Sequence, residues 1–363
     1  MKKLVLRSFL FFSPFVAIFA MELFILPIDS FTFRVWEALK IRTFYEILPG
    51  QFYPCKEIEK IEAGDLGYYT PFEVKKKVRW VTDRYGYRKK DSEKVHHKVV
   101  IIGDSNIAGT SLTQEDILSE VLENRLGVSV YPFAPEDINT FLKESRFIDH
   151  PPEIVIVGTI ESEILSLPDL LQDFNEEGTF SLLKWKAQLR GNRYVQYLAM
   201  QLDRLSKTIM LNYLKARLKG ERVRPSYIST TKFGTMLFFF GRGVNRDFSI
   251  EQFSKTIHTI VTYDRVLKMK GIRFIFLPIP NKENIYHDYL PHQERPVFLE
   301  KLIAELKDKN IEVVDTQQAF EERYRKHSTL LYHLDDTHWN ENAVHMTAGL
   351  IQEIIEKKVL PKK

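Results

Sequence analysis

From about residue 98 onward, short runs of β-branched residues alternate with stretches of helical period, which restricts the chain to parallel strands joined by crossover helices. Val99-Val100-Ile101-Ile102 reads as the first buried strand. Val128 to Phe133 reads as the second, Ile154-Val155-Ile156-Val157 as the third, Ile272 to Leu277 as the fourth and Ile311 to Val314 as the fifth. Thr113 with Asp116 three residues later marks a capping-box-like helix start. Ile117, Leu118, Val121, Leu122 and Leu126 then form a stripe that stops at Gly127. A last helix is predicted from about Glu341 to Lys357. The expected fold is α/β, a three-layer domain with a central parallel sheet, built from residues 98–170 and 250–363. The intervening residues 171–249 are too many for an ordinary connection and are expected to form a cap.

Composition closes off other classes. Of 363 residues, 44% are hydrophobic and 28% charged, with 16 Gly and 16 Pro, which excludes a disordered, collagenous or multi-span membrane chain. Cys55 is the single cysteine, so no internal disulfide and no Cys-rich zinc site can form. The net charge of +4 indicates no nucleic-acid binder.

The N-terminus adds a membrane expectation. Lys2, Lys3 and Arg7 precede an apolar stretch from Ser8 to Ile28 that holds one charge, Glu22, and is long enough as a helix to cross roughly 30 Å of hydrocarbon. By the positive-inside bias, residues 1–30 form a single-pass anchor in the cell membrane and the rest is extracytoplasmic, with 31–97 as an N-terminal region. A cleaved signal peptide is the competing reading, with Ala17 and Ala20 flanking the cut. Phe52-Tyr53-Pro54 before Cys55 does not resemble a lipobox.

Charge is segregated inside the insertion. Residues 184–224 hold eleven Lys or Arg against Asp203 and Glu221, a net +9 that leaves −5 for the remainder. Val195, Leu198, Leu202, Leu205 and Ile209 recur at helical spacing, which makes this a basic amphipathic helix. Such a helix either packs its apolar side on the domain or contacts anionic headgroups near the anchor or an anionic polysaccharide. Met236-Leu237-Phe238-Phe239-Phe240 is read as a core strand of the cap rather than a surface for a membrane partner.

Two segments carry chemistry. Gly103-Asp104-Ser105 directly follows the first strand, where an open α/β sheet presents its functional loops. A serine hydroxyl needs a base and an orienter for that base. Asp335-Asp336-Thr337-His338-Trp339-Asn340, ahead of the last helix, offers both, since a nearby aspartate can accept from imidazole Nδ1–H and fix its tautomer. A zinc site on His333, Asp335, Asp336, His338 and His345 is the alternative, but it leaves Ser105 without a role.

With these halves at opposite ends of one α/β domain, the chain resembles the SGNH (GDSL-like) hydrolase superfamily over about 98–357, with the cap as an insertion. Asp336-Thr337-His338-Trp339, together with Leu277-Pro278-Ile279-Pro280-Asn281-Lys282, Ile285-Tyr286 and Leu290-Pro291, is similar to alginate O-acetyltransferases and related surface-polysaccharide acetylation proteins. So are Glu161-Ser162-Glu163 and the stretch from Trp80 to Gly86-Tyr87-Arg88.

The resemblance implies an SGNH-like fold and a triad of Ser105, His338 and Asp336, with Asp335 as the competing orienter. It also departs from the family. The oxyanion-hole glycine and asparagine are replaced by Phe133-Ala134-Pro135 and Gly158-Thr159-Ile160-Glu161, leaving the Ser105 N–H with Asn106 or Asn139 as candidate donors. The order of the Ser and Asp/His blocks is that of ordinary SGNH proteins, not of the alginate enzymes. Glu161, Lys282 and Trp339 are the remaining candidates for substrate binding.

The implied activity is extracytoplasmic O-acyl transfer, most simply of acetyl, to a cell-surface polysaccharide through an acyl-serine. No cofactor is called for, and a multi-span membrane acyltransferase is the implied donor partner. A carbohydrate esterase with the same triad and a non-catalytic glycan-binding scaffold are the rival expectations.

Overall fold

A computed structural model describes residues 2–44, 47–68, 70–91, 96–171, 192–207, 227–231, 234–239, 248–290 and 295–357. Helix α1 spans Lys2–Phe24 and α2 spans Val35–Leu39, and strands β1 (Glu57–Glu62) and β2 (Lys76–Val81) pair antiparallel. The α/β domain begins with β3 (Val99–Gly103), α3 (Leu118–Leu126), β4 (Val130–Phe133), α4 (Ile138–Lys143), α5 (Ser145–Asp149), β5 (Ile154–Ile160) and α6 (Glu161–Ile164). The insertion contributes α7 (Arg193–Lys207) and an antiparallel pair, β6 (Tyr227–Thr230) with β7 (Met236–Phe239). The domain resumes with α8 (Ile250–Met269), β8 (Arg273–Ile279), α9 (Lys282–Ile285), α10 (Phe298–Asp308), α11 (Thr316–His327) and α12 (Glu341–Lys357).

The central sheet is parallel throughout, in the order β4-β3-β5-β8. Strand side chains alternate between faces, so the sheet feeds two cores. Val99, Ile101, Ile156, Ile275 and Leu277 pack with Leu118, Val121 and Leu122 of α3 and Val344, Ala348 and Ile351 of α12. Val100, Ile102, Val155, Val157, Phe274 and Phe276 pack with Ile257, Ile260 and Leu267 of α8 and Leu302, Ile303 and Leu306 of α10. Burial on both faces is why these strands read as unbroken apolar runs, each large side chain contributing about 1.5–3 kcal/mol. The chain is therefore a three-layer α/β protein, with an N-terminal apolar helix in addition.

Several expectations are corrected in detail. The second strand starts at Val130, not Val128, and it contains Pro132, which an edge strand tolerates because one side of its backbone needs no partner. The segment 311–314 is not a full strand. It adds a single parallel bridge, Phe276 with Val313, before Asp315 caps α11. Thr113 does not cap α3. A 3₁₀ turn, Gln114–Asp116, intervenes, and the Thr113 hydroxyl accepts from Arg79 N and donates to Glu115.

Helix α7 does not pack its leucine side on the domain. Leu198, Leu202 and Leu205 are 60%, 43% and 40% exposed, while Ala199, Met200, Asp203 and Lys207 are buried. Polar demand decides the orientation. Asp203 Oδ1 accepts from Arg42 N (3.1 Å) and Thr43 N (2.7 Å), Oδ2 accepts from Tyr53 Oη (2.6 Å), and Lys207 Nζ donates to Ala38 O (3.1 Å). A buried Asp–Lys pair holds only when its remaining valences are met, and the N-terminal region meets them. The insertion is thereby tied to residues 38–53. Ile209 and Phe240 lie outside the described residues. Leu237 and Phe239 are buried in the first core, the placement expected of a core strand.

Candidate active site

The loop after β3 is built for close approach. A Cβ at Gly103 would lie 2.3 Å from Gly158 O and 2.5 Å from Ile107 Cγ1, so only glycine fits between the paired ends of β3 and β5. Asp104 then braces the turn, accepting from Asn106 N and from Ile160 N, each at 2.8 Å, while burial pushes its pKa up. This presents Ser105 at the carboxyl end of the sheet. The connections leaving β3 and β5 diverge toward opposite edges there, which is where open α/β sheets form their crevice.

Ser105 Oγ lies 2.9 Å from His338 Nε2. On the other side of the ring, His338 Nδ1 lies 2.5 Å from Asp336 Oδ1, which also accepts from His338 N at 2.9 Å. Asp336 Oδ2 accepts from Ser111 Oγ (2.6 Å) and Asp65 N (3.2 Å). Arg34 Nη1 and Lys76 Nζ stand 4.0 Å and 3.9 Å from that same oxygen. Burial alone would push the Asp336 pKa up, but the His338 charge and hydrogen bond, with Lys76 and Arg34, hold it well below the ordinary carboxylate range. Burial would lower His338, yet the Asp336 charge and hydrogen bond raise it above the usual histidine value, with Asp65 adding to the effect. The pair is poised as carboxylate and readily protonated imidazole, which a serine base requires.

The remaining candidates divide. Asp335 faces away from His338. Its Oδ2 accepts from Gly64 N (2.9 Å) and Val74 N (2.8 Å), and its carbonyl takes Leu66 N and Gly67 N, so it fastens residues 64–74 to the histidine loop. Asn139 is no oxyanion donor, because both ends of its amide clamp the backbone at Asp169 and Leu171. Asn106 is buried and its Oδ1 accepts from Trp339 N at 3.4 Å, joining the serine turn to the histidine turn.

The three substrate-binding candidates are structural as well. Glu161 is fully buried, its Oε2 accepting from Asn281 N (3.1 Å) and Asn284 Nδ2 (2.8 Å), and burial pushes its pKa up to about 7. Lys282 is not a substrate-facing cation, because its Nζ donates to the carbonyls of His333, Leu334 and Asp336 and pins the loop that carries the Asp–His pair. Trp339 is a core residue with no exposed surface, not a pocket wall.

Among the described residues, Asp65, Asp336 and His338 bring possible metal-ligating atoms within 4.8 Å of one another. Arg34 and Lys76 already compensate the charge of Asp336, and His338 Nδ1–H donates to Asp336, which leaves no lone pair there for a cation, so the trio suits a hydrogen-bonded cluster and not a cation. The alternative zinc set does not assemble among the described residues. His345 is half exposed beside Asp116, and Asp335 is spent on backbone.

A cleft of about 740 Å³ opens at Ser105. Trp36 and Lys40 come from the N-terminal region, Glu136 and Asp137 follow β4, Thr159 lies at the end of β5 and Glu163 follows it. Ser105 N–H has no protein acceptor among the described residues, which leaves it available to a ligand oxygen at the serine. Arg34, Trp36, Lys40, Asp65, Lys76 and Ser111 escaped the sequence reading. Residues 34–76 stand more than 250 positions from His338, and no local pattern links them to it.

A family profile described as SGNH hydrolase-like domain, acetyltransferase AlgX, matches residues 238–363. A profile described as mitochondrial PGP phosphatase matches residues 74–161. No curated protein matches the chain. Among solved structures, a putative acylhydrolase from Bacteroides fragilis is 13% identical, with 76% of this chain and 94% of that one covered at a TM-score of 0.37. A lipase/acylhydrolase from Enterococcus faecalis is 12% identical, with 74% and 99% covered at a TM-score of 0.36. An acetyl xylan esterase from Butyrivibrio proteoclasticus is 11% identical, with 83% and 72% covered at a TM-score of 0.33. These likenesses are too distant to carry chemistry. Over residues 238–363, which hold the Asp336–His338 block, the chain is similar to an SGNH hydrolase-like domain.

Proposed function

We propose that the protein is a membrane-anchored, extracytoplasmic serine O-acyltransferase that moves an acyl group, most simply acetyl, onto a hydroxyl of a cell-surface polysaccharide. The observation that carries this reading is the in-line array of Ser105 Oγ, His338 and Asp336 at 2.9 Å and 2.5 Å, opening on the cleft. Ser105 Oγ attacks the acyl carbonyl and gives its proton to His338 Nε2. Asp336 stabilises the imidazolium, and the Ser105 N–H faces the developing oxyanion. The donor's leaving group takes the proton back, leaving acyl-Ser105. A sugar hydroxyl then attacks, with His338 again as base, and the ester product departs. Helix Leu6–Phe24 is apolar and long enough to cross a membrane, and none of it is buried, which supports the anchor. Outside the cytoplasm acyl-CoA is absent, so a multi-span acyltransferase fits as donor partner.

The cleft informs the acceptor. Glu136, Asp137 and Glu163 line it against Lys40, so a polyanionic glycan meets like charge there and a neutral one does not. The test is turnover of a chromogenic acetyl ester by the purified full chain, with and without neutral and uronate oligosaccharides. Faster ester consumption with a neutral acceptor, together with an acetylated sugar product, supports transfer. Free acetate as the sole product at every acceptor concentration identifies an esterase instead, and no turnover with no labelling of Ser105 by a serine-directed phosphonate identifies a scaffold.

A further inference from the structure

Helix α7 presents an apolar ridge that the α/β domain does not use. Tyr194, Leu198, Leu202 and Leu205 fall on one side at helical spacing, with Tyr197 beside them, and are 87%, 60%, 43%, 40% and 58% exposed in that order. The opposite side is locked to the N-terminal region through Asp203 and Lys207. The orientation of the ridge is therefore set by the protein and not by its occupant.

The same helix is joined to the end of α1. Arg204 donates to Glu22 O at 2.8 Å and Leu23 O at 3.2 Å, satisfying carbonyls at the end of the apolar helix Leu6–Phe24. A guanidinium reaches only about 7 Å from its own backbone. Leu202 and Leu205 flank Arg204 in sequence, so they lie within about one helix diameter of the point where α1 ends. If α1 spans a bilayer, that point is the hydrocarbon boundary, and interfacial helices sink their apolar face about 5–10 Å into this layer. Tyrosines suit the same depth, with the ring in acyl chains and the hydroxyl in headgroups. The charge agrees, because the stretch 184–224, within which this helix lies in sequence, carries a net +9 and anionic lipids attract such a segment.

Building on the anchor reading above, we propose that α7 is an interfacial helix lying in the outer headgroup layer of an anionic bilayer. Its ridge of Tyr194, Tyr197, Leu198, Leu202 and Leu205 faces the acyl chains. Through Arg204, Asp203 and Lys207 it sets the height of the N-terminal region, and hence of Trp36 and Lys40 in the cleft, above the membrane. A transferase whose donor is a membrane-embedded partner gains from this fixed height.

The test uses the full-length chain in phosphatidylcholine/phosphatidylglycerol vesicles, in a Cys55→Ser background with a nitroxide at Leu198→Cys, Leu202→Cys or, as a water-exposed reference, Gln318→Cys. Each label reports collisions with oxygen, which partitions into lipid, and with a nickel chelate, which stays in water. The account expects the ratio of oxygen to nickel collisions to be several-fold higher at 198 and 202 than at 318, and to fall toward the reference when neighbouring Leu205 is replaced by Glu. Equal ratios at all three sites overturn the proposal. Dipolar broadening at high lipid-to-protein ratio overturns it in favour of a second copy. Protection from nickel that appears only when soluble dextran sulfate is added overturns it in favour of a polyanionic glycan. Resistance to alkaline carbonate extraction reports the α1 span separately, so failure of the span and failure of the ridge are read apart.

Discussion

Replacing Asp336 by Asn separates the two aspartates that precede His338. Asp336 Oδ1 accepts from His338 Nδ1 and N, and Oδ2 accepts from Ser111 Oγ and Asp65 N. All four positions are acceptor positions on a carboxylate, and an amide can supply acceptors on only one side. With its NH₂ toward His338, the ring must accept at Nδ1 and carry its proton on Nε2, where it cannot receive one from Ser105. With its NH₂ toward Asp65, two donors oppose each other. In either orientation Lys76 and Arg34, the latter still paired with Glu37, lose the charge they flank, and the imidazolium formed during reaction loses its nearest counter-charge. Loss of the correct tautomer and of this stabilisation is worth about 10³–10⁴ in rate, roughly 4–5.5 kcal/mol. The assay is turnover of an activated acetyl ester across pH, with folding checked by circular dichroism. Asp335→Asn removes an acceptor for Gly64 N and Val74 N, so it is expected to cost about 1–3 kcal/mol of stability and leave the rate within tenfold. An Asp336→Asn enzyme that keeps wild-type turnover while Asp335→Asn loses it would refute the reasoning.

Three further outcomes follow from the same geometry. The acid limb of kcat/KM is expected above the ordinary histidine pKa of about 6.5, because His338 must be neutral to act and Asp336 raises its pKa; Asp336→Asn should bring that limb down, as measured by a pH–rate profile. Lys282→Met leaves the carbonyls of His333, Leu334 and Asp336 without their shared donor, and is expected to lower stability by about 2–4 kcal/mol in denaturant unfolding and to slow acylation by loosening the histidine loop. Glu161 has a folded pKa raised to about 7 from 4.5, so the folded state binds the extra proton and stability falls as pH rises between those values. Glu161→Gln, which can still accept from Asn281 N and Asn284, should flatten that fall and stabilise the protein at pH 8 by at most roughly 3 kcal/mol, read from urea melts at pH 5 and pH 8.

The parallel sheet was legible because burial on both faces writes each strand as an apolar run, and the two segments that meet at Ser105 and His338 were legible because each is a local block, Gly103-Asp104-Ser105 and Asp335 to Asn340. What sequence left open was direction. Nothing local distinguishes an aspartate that turns to His338 Nδ1 from one that turns to Gly64 and Val74, since both sit within reach of the ring along the chain. The same ambiguity misassigned Lys282, Asn139 and Glu161, polar residues near the site whose side chains serve loop backbone or other buried groups. In α7 the sequence left open whether the apolar stripe packs on the domain; Asp203 and Lys207, with hydrogen-bond partners waiting at Ala38, Thr43 and Tyr53, took the interior and left the leucines outside. Long-range partners were invisible. Arg34 and Lys76 bear on Asp336 only after the N-terminal region folds over the histidine loop.

The most direct test of the central claim is the intact mass of the full chain after brief exposure to an activated acetyl ester, followed by peptide mapping. The account predicts one added acetyl group on Ser105, absent in Ser105→Ala and formed orders of magnitude more slowly in His338→Ala. Acetylation that is unchanged in both variants, or that falls on lysines while Ser105 stays unmodified, would contradict it.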